Sequence, residues 1–333
     1  MRHLHGKTSL VSIILPFKNE EDYLGECIDS IINQTHAQWE LILVDDNSTD
    51  ASPRIAQNSA KNDKRIRYFK NPNSGVIEAL QYGFKQSTGN LISRMDGDDI
   101  KTIDNLEQLV YAVSPGKIAI GLVQYFRSDG LGAGYSQYQQ WLNDRTKTNN
   151  SFAEIYKECV VPSPCWLAHR DDFLKSGGFE SNKYPEDYDL CFRFYEAGLK
   201  TQGTVGIIHQ WRDHPTRTTR VSKHYSDNRF MQLKLHYFSL IDLNPAQELV
   251  LWGAGKKGKA IAKYWTENGI LFSWLTDNKN KIGHNIYGTV LESTETFDPS
   301  PTHQVVIAVA DKQGQLDIQE KINGTKSDVF WFC

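Results

Sequence analysis

Two aspartates separated by one glycine, Asp96-Gly97-Asp98, are well suited in type and spacing to hold a hard divalent cation. Carboxylate oxygens suit Mg2+ or Mn2+, and such an ion takes one or two protein carboxylates and fills its shell with water and phosphate oxygens. The intervening glycine lets the backbone turn sharply and approach a ligand. The same triplet also reads as an acidic turn in which Asp99 caps a helix. A second acidic group, Asp45-Asp46-Asn47-Ser48-Thr49-Asp50, carries the same two readings, with Ser48 or Asp50 as the cap. A third, Glu186-Asp187, follows Pro185 at a predicted helix start, where ordinary first-turn charges are also common.

The elements that must position these groups follow from apolar periodicity. Strands are expected at Leu10 to Leu15, Glu40 to Val44, Arg65 to Phe69 and Asn90 to Arg94, and helices at about Glu21 to Asn33, Ala51 to Ala60 and Val76 to Gln86. This alternation predicts a parallel sheet covered on both faces. Ligands of such sheets bind at the carboxyl ends of the strands, where both acidic groups fall. Between about Gly116 and Pro185 the pattern loosens, and a wall of the ligand site is expected there. Trp166, Tyr125, Tyr135 and Tyr138 would either stack on a bound ring or belong to the core. A helix from Glu186 to about Ala197 is followed by a basic, His-rich loop over His209 to Arg220.

The 37 basic and 40 acidic residues give a net charge of −3, so no global basic field points to nucleic acid. Five scattered cysteines lack zinc-site spacing and fit a reduced cytosol. No apolar stretch before the first strand suits a signal peptide, and no segment approaches the ~20 apolar residues of a transmembrane helix. Peripheral membrane association stays open.

Taken in order, Ser12-Ile13-Ile14-Leu15-Pro16-Phe17-Lys18-Asn19-Glu20, Val44-Asp45-Asp46-Asn47-Ser48-Thr49-Asp50, Arg94-Met95-Asp96-Gly97-Asp98-Asp99, Gly177-Gly178-Phe179 and Glu186-Asp187-Tyr188-Asp189-Leu190 resemble a family 2 glycosyltransferase. The resemblance covers about the first two-thirds of the chain. It implies the GT-A fold, an α/β nucleotide-diphospho-sugar transferase with a mixed, mainly parallel sheet. It further implies that Pro16, Phe17, Asn19 and Glu20, with Asp45 and Asp46, cradle the nucleotide, and that Gly75, Arg94, Asp96 and Arg212 complete the donor site. Asp96 and Asp98 would place Mn2+ or Mg2+ on the diphosphate, with His214 as a further metal ligand. Arg212, Arg217 and Arg220 would either meet phosphate oxygens or form a solvated basic loop. Asp187 is implied as the general base that deprotonates an acceptor hydroxyl, with inversion at the sugar. The family's processive members carry a Gln-x-x-Arg-Trp motif and membrane helices, and neither occurs here. The resemblance thus implies a single-addition enzyme that moves a sugar from a nucleotide diphosphate sugar to a glycan or lipid-linked acceptor. Its place would be surface polysaccharide synthesis in the cytoplasm, at or near the inner face of the membrane.

A second α/β unit starts near residue 244, giving expected domains of 1–243 and 244–333. Gly253-Ala254-Gly255-Lys256-Lys257-Gly258 follows the strand-like Leu249-Val250-Leu251-Trp252 and opens a helix, and Asp277 ends the next apolar run, as in a small Rossmann-like domain. Two other functions are therefore weighed: a nicotinamide-dependent oxidoreductase using this unit, and a non-catalytic nucleotide-sugar-binding protein.

Overall fold

The computed structural model describes residues 9–127, 130–215, 217 and 227–333. The chain divides into two compact units, the second taking residues 154–158 and everything described from Asp227 onward. The expected division at 243/244 thus differs from the contacts. The helix Asp227–Tyr237 and the turn Phe238–Asp242 pack in the second unit because their aromatic groups are buried there. Phe238 meets Phe330 and Phe332 with ring centroids 5.2 and 5.8 Å apart. Tyr156 stacks on Phe332 and donates its hydroxyl to Asp242 (2.5 Å).

In the first unit β1 (Val11–Phe17), β2 (Trp39–Asp45), β3 (Ile66–Lys70) and β4 (Leu91–Arg94) form the parallel half of an eight-stranded sheet. Every side chain of β1, β2 and β4 is buried, as strands covered on both faces require. Their apolar runs stop at Phe17, Asp45 and Arg94, so polar residues collect at one sheet edge. Beyond β4 the sheet is mixed, with β5 (Ile100–Lys101), β6 (Lys117–Phe126), β7 (Trp166–His169) and β8 (Lys200–Arg212) in the overall order β3-β2-β1-β4-β7-β6-β8-β5.

Two expectations change here. The loosened stretch after Gly116 contains the ten-residue strand β6 and a fifteen-residue helix, Ala133–Lys147. His209–Arg212, expected in a loop, ends the thirteen-residue strand β8, which pairs in parallel with β6 through a register shift. The basic loop begins only after it, and Arg220 lies outside the described residues.

In the second unit β9 (Glu248–Trp252), β10 (Ser273–Thr276), β11 (Asn285–Ile286), β12 (Thr289–Ser293), β13 (His303–Ile307) and β14 (Asp328–Trp331) give the order β11-β12-β10-β9-β13-β14. All pairs are parallel except β11 with β12. The glycine turn after β9 is sterically demanding: Gly253 has φ +117°, and a Cβ on Gly258 would sit 1.9 Å from the Gly253 carbonyl oxygen. Asp277 follows β10 and is exposed.

One close helix-to-sheet approach positions the polar sheet edge of the first unit. A Cβ on Gly83, in the helix Val76–Gln86, would lie 2.7 Å from Ile14 Cγ2 and 3.0 Å from Val44 Cγ2. Gly83→Val is therefore expected to destabilise the first unit by about 1–3 kcal/mol through overpacking, read from urea unfolding.

Candidate active site

The site is organised around the end of β4. The Arg94 side chain, 10% exposed, bonds Asp96 Oδ1 through Nε (3.0 Å) and through the second amino nitrogen (3.0 Å). Its remaining amino nitrogen reaches Glu186 Oε1 at 3.0 Å. Glu186 and Asp187 open the helix Glu186–Glu196, and that helix is itself tied down. Arg193, one face further along, pairs with Asp189 (2.8 Å) and donates to the carbonyls of Ser176 (2.6 Å) and Gly178 (2.7 Å). Gly177 and Gly178 both have positive φ, so this turn needs residues without a Cβ penalty. The motifs ending in Asp96, Gly178 and Asp187 are therefore joined by two arginines.

The next two aspartates face the end of β8. Asp98 Oδ2 lies 2.9 Å from His214 Nε2, while Asp99 Oδ1 accepts the Arg212 N–H (2.8 Å). Asp99 Oδ2 is 3.0 Å from His209 Nε2, with both side chains fully buried. Burial drives the His209 pKa well below its ordinary value, so the ring beside Asp99 is neutral. Arg212 donates Nε to the Asp98 carbonyl (2.7 Å) and pairs with Glu26 (2.5 Å), and it stacks between Tyr23 and Phe126. Its guanidinium holds the acidic loop in place. Arg217 lies over the rings of Trp211 and Tyr125, where the Asp99 and Asp98 charges favour its cation.

On the opposite side, Asn19 takes φ +56° and accepts the Thr49 N–H through Oδ1 (2.8 Å), while its own N–H donates to Ser48 Oγ (3.0 Å). Glu20 N–H donates to Ser52 Oγ (2.8 Å). Asp45 accepts the Ser48 N–H (2.8 Å), and Asp46 accepts from Asn71 (2.9 Å) and from the Gly75 N–H (2.8 Å). Gly75, at φ +116°, begins the next helix from that bond. Neither Ser48 nor Asp50 takes the cap position of the next helix, which is Ala51, although Asp50 accepts the Ser52 N–H at 3.0 Å. Pro16, Phe17, Asn19, Glu20, Asp45, Asp46 and Gly75 thus border one edge.

Crowded carboxylates leave an electrostatic mark. Burial first, then the Asp98, Asp96, Asp50 and Asp22 charges, push the Glu20 carboxyl up to about 8. Burial also raises Asp96 against the opposing effect of Arg94. Asp187, which accepts the Tyr188 N–H (2.8 Å), is pushed up to about 7 by burial and by Glu186, with Arg94 opposing. A dication beside Asp96 and Asp98 would relieve this repulsion, and carboxylate and imidazole are suitable donors for Mn2+. Among the described residues no three His, Cys, Asp or Glu side chains converge into a preformed cage. That is compatible with an ion completed by diphosphate oxygens and water.

Of the two readings of the aromatics, ring stacking or core, the structure favours core. Trp166 is 1% and Tyr125 4% exposed, and Tyr125 stacks on Trp211 at 4.8 Å. Tyr135 and Tyr138 pack against the same cluster. Sequence inspection missed the positioning roles of His209, Glu26, Tyr23 and Arg193. Arg212 lies 186 positions from Glu26 and 189 from Tyr23, and only the Arg193–Asp189 pair had a local helical spacing that could have signalled it.

The model of Glycosyl transferase family 2 matches residues 12–177. An uncharacterized glycosyltransferase of Haemophilus influenzae is 40% identical over 238 residues, covering 68% of this chain and 72% of that protein. The putative glycosyltransferase EpsE of Bacillus subtilis is 41% identical over 233 residues, covering 66% of this chain and 80% of EpsE. The chain belongs to glycosyltransferase family 2. It spans less of other curated relatives, including 63% of Bacillus subtilis EpsJ, which is 46% identical over 219 residues and 64% of this chain. Among solved structures, S. aureus TarS 1-349 in complex with UDP-GlcNAc matches with a TM-score of 0.54 at 15% identity, covering 78% of this chain and 72% of that one. That likeness shows a shared GT-A-like mixed sheet.

The charge crowding makes a testable statement. Because the folded pKa of Glu20 is raised, the native state binds the extra proton and loses stability as pH rises from about 4.5 towards about 8. Glu20→Gln should therefore raise Tm at pH 8 in metal-free buffer and leave it nearly unchanged at pH 4. The check is thermal unfolding at both pH values.

Proposed function

We propose that this chain catalyses inverting, metal-dependent transfer of a sugar from a nucleotide diphosphate sugar to a hydroxyl of a glycan or lipid-linked acceptor, in polysaccharide synthesis. The observation that carries the reading is the Arg94 bridge, which sets Asp96 of the acidic loop and Glu186, the neighbour of Asp187, on one guanidinium. Donor-side and acceptor-side chemistry then share one site. The UDP-GlcNAc complex of TarS supports a nucleotide-sugar donor, within a likeness of fold. No helix among the described residues is long and apolar enough to cross a membrane, so an acceptor on a lipid would be reached from the surface.

In this reading Asn19, Glu20, Asp45 and Asp46 border the nucleotide, and Asp96 and Asp98, with His214, would hold Mn2+ or Mg2+. When bound, the ion supplies positive charge where the leaving diphosphate gathers negative charge. Asp187 accepts the acceptor hydroxyl proton, and the freed oxygen attacks the anomeric carbon from the face opposite the diphosphate. Burial suits Asp187 to this task, because a carboxylate raised to about 7 is a better base than an ordinary one and is still about half ionised near neutrality.

Three measurements test this. A nucleotide-sugar panel with Mn2+ should yield at least one donor that binds and is slowly hydrolysed; no binding and no hydrolysis across the panel would end the proposal. Asp98→Ala should abolish metal-dependent donor binding, whereas Asp187→Asn should keep donor binding and lower transfer by about 100- to 10,000-fold. Equal loss of both properties in both variants would contradict the division of labour. Because the base must be ionised, the transfer rate should fall as pH drops below about 7; a rate flat down to pH 5 would exclude Asp187 from that role.

A further inference from the structure

A small cavity of about 10 Å3 adjoins Asp187, bounded on its polar side by Arg94, Ser163 and Asp187 and closed by Trp166, Cys191 and Phe194. Its size admits the centre of one water molecule and excludes a sugar, a phosphate or an acceptor. Ser163 is 7% exposed, and its buried hydroxyl oxygen has no hydrogen-bond partner within the protein. A buried hydroxyl left in that state is unfavourable, and native proteins satisfy nearly all such groups.

The backbone around Ser163 is fixed in place. It stands between Pro162 and Pro164, in a turn closed by the Cys165 N–H on the Pro162 carbonyl (3.0 Å). The Pro164 carbonyl accepts from the buried Lys101 ammonium at 3.3 Å. The backbone thus holds Ser163 at the cavity wall. Around the same space stand a guanidinium that donates and a carboxylate that accepts, so one water there would have the two to four polar partners it needs.

We propose that this cavity holds one ordered water that bridges Ser163 Oγ to the Asp187 carboxylate, and that Ser163 is thereby a positioning residue for sugar transfer. The proposal rests on the reading of Asp187 as the base. Asp187 is the second residue of its helix, and a carboxylate there can turn about its side-chain torsions. Its carboxylate accepts the adjacent Tyr188 N–H at 2.8 Å. A bridged water is nearly as good as a direct hydrogen bond and would hold the carboxylate against a fixed point of the first unit. Proton transfer demands that precision, since small misplacements of reacting groups cost large factors in rate.

The test joins a high-resolution crystal structure of the wild type with kinetics of Ser163→Ala. The structure should show one water within hydrogen-bond distance of both Ser163 Oγ and Asp187. Ser163→Ala should lower kcat about 10-fold while the donor Kd changes less than about twofold. A cavity without that water, in a structure that orders neighbouring waters, overturns the proposal. So does an unchanged kcat, or a parallel loss of kcat and donor binding, which would mark a merely structural role. A wild type without transfer activity, or a fully active Asp187→Asn, defeats the reading of Asp187 and the positioning role with it. A bridge seen together with an unchanged kcat defeats the positioning role alone.

Discussion

The Arg94 guanidinium, buried at the carboxyl end of β4, bonds Asp96 on one side and Glu186 on the other, and two otherwise separate loops depend on it. Asp96 and Glu186 are 90 positions apart in the chain, and each arrives at the end of its own element. Without the cation between them, both carboxylates would be left buried or half-buried and uncompensated, a costly state. Arginine suits the position because its planar fork can bond two carboxylates at once, whereas a lysine ammonium offers a point charge.

Around that bridge the site is a balance of like charges. Asp96, Asp98, Asp99, Glu20, Glu186 and Asp187 gather near it, and Arg94, Arg212 and Arg217 compensate them only in part. Burial first, and then that remainder, pushes carboxyls upward, Glu20 to about 8 and Asp187 to about 7. Such crowding is unfavourable for the resting protein and is the arrangement that an added cation would relieve. Neutral His209 and the Arg212 backbone meet Asp99 beneath the loop, so the crowded groups rest on a rigid floor rather than on solvent.

Much of this was legible in the sequence, for identifiable reasons. β1, β2 and β4 are mainly apolar because both faces of the sheet are covered, interrupted by Ser12, Glu40 and Ser93, and an acidic residue follows each within three positions. The donor-side motifs could be placed at one edge from that pattern alone. β8 was harder, since Lys200–Arg212 contains Gly203 and Gly206 and mixes polar with apolar residues, and it becomes a strand only through pairing with β6. The buried state of His209 could not be read either, because Asp99, its partner, is 110 positions away. The edge of the second unit escaped for a similar reason: Tyr156 joins it through ring contacts with Phe238 and Phe332, which no local periodicity announces.

A double-mutant cycle on Arg94 and Glu186, read by urea unfolding, tests the bridge most directly. Arg94→Met alone should destabilise by about 3–5 kcal/mol, because it strands buried carboxylates. Combined with Glu186→Gln it should destabilise less than the sum of the two single changes, with a coupling of about 1–3 kcal/mol. Additive single effects, with no coupling beyond about 0.5 kcal/mol, would show that Arg94 does not join the acidic loop to the Asp187 helix.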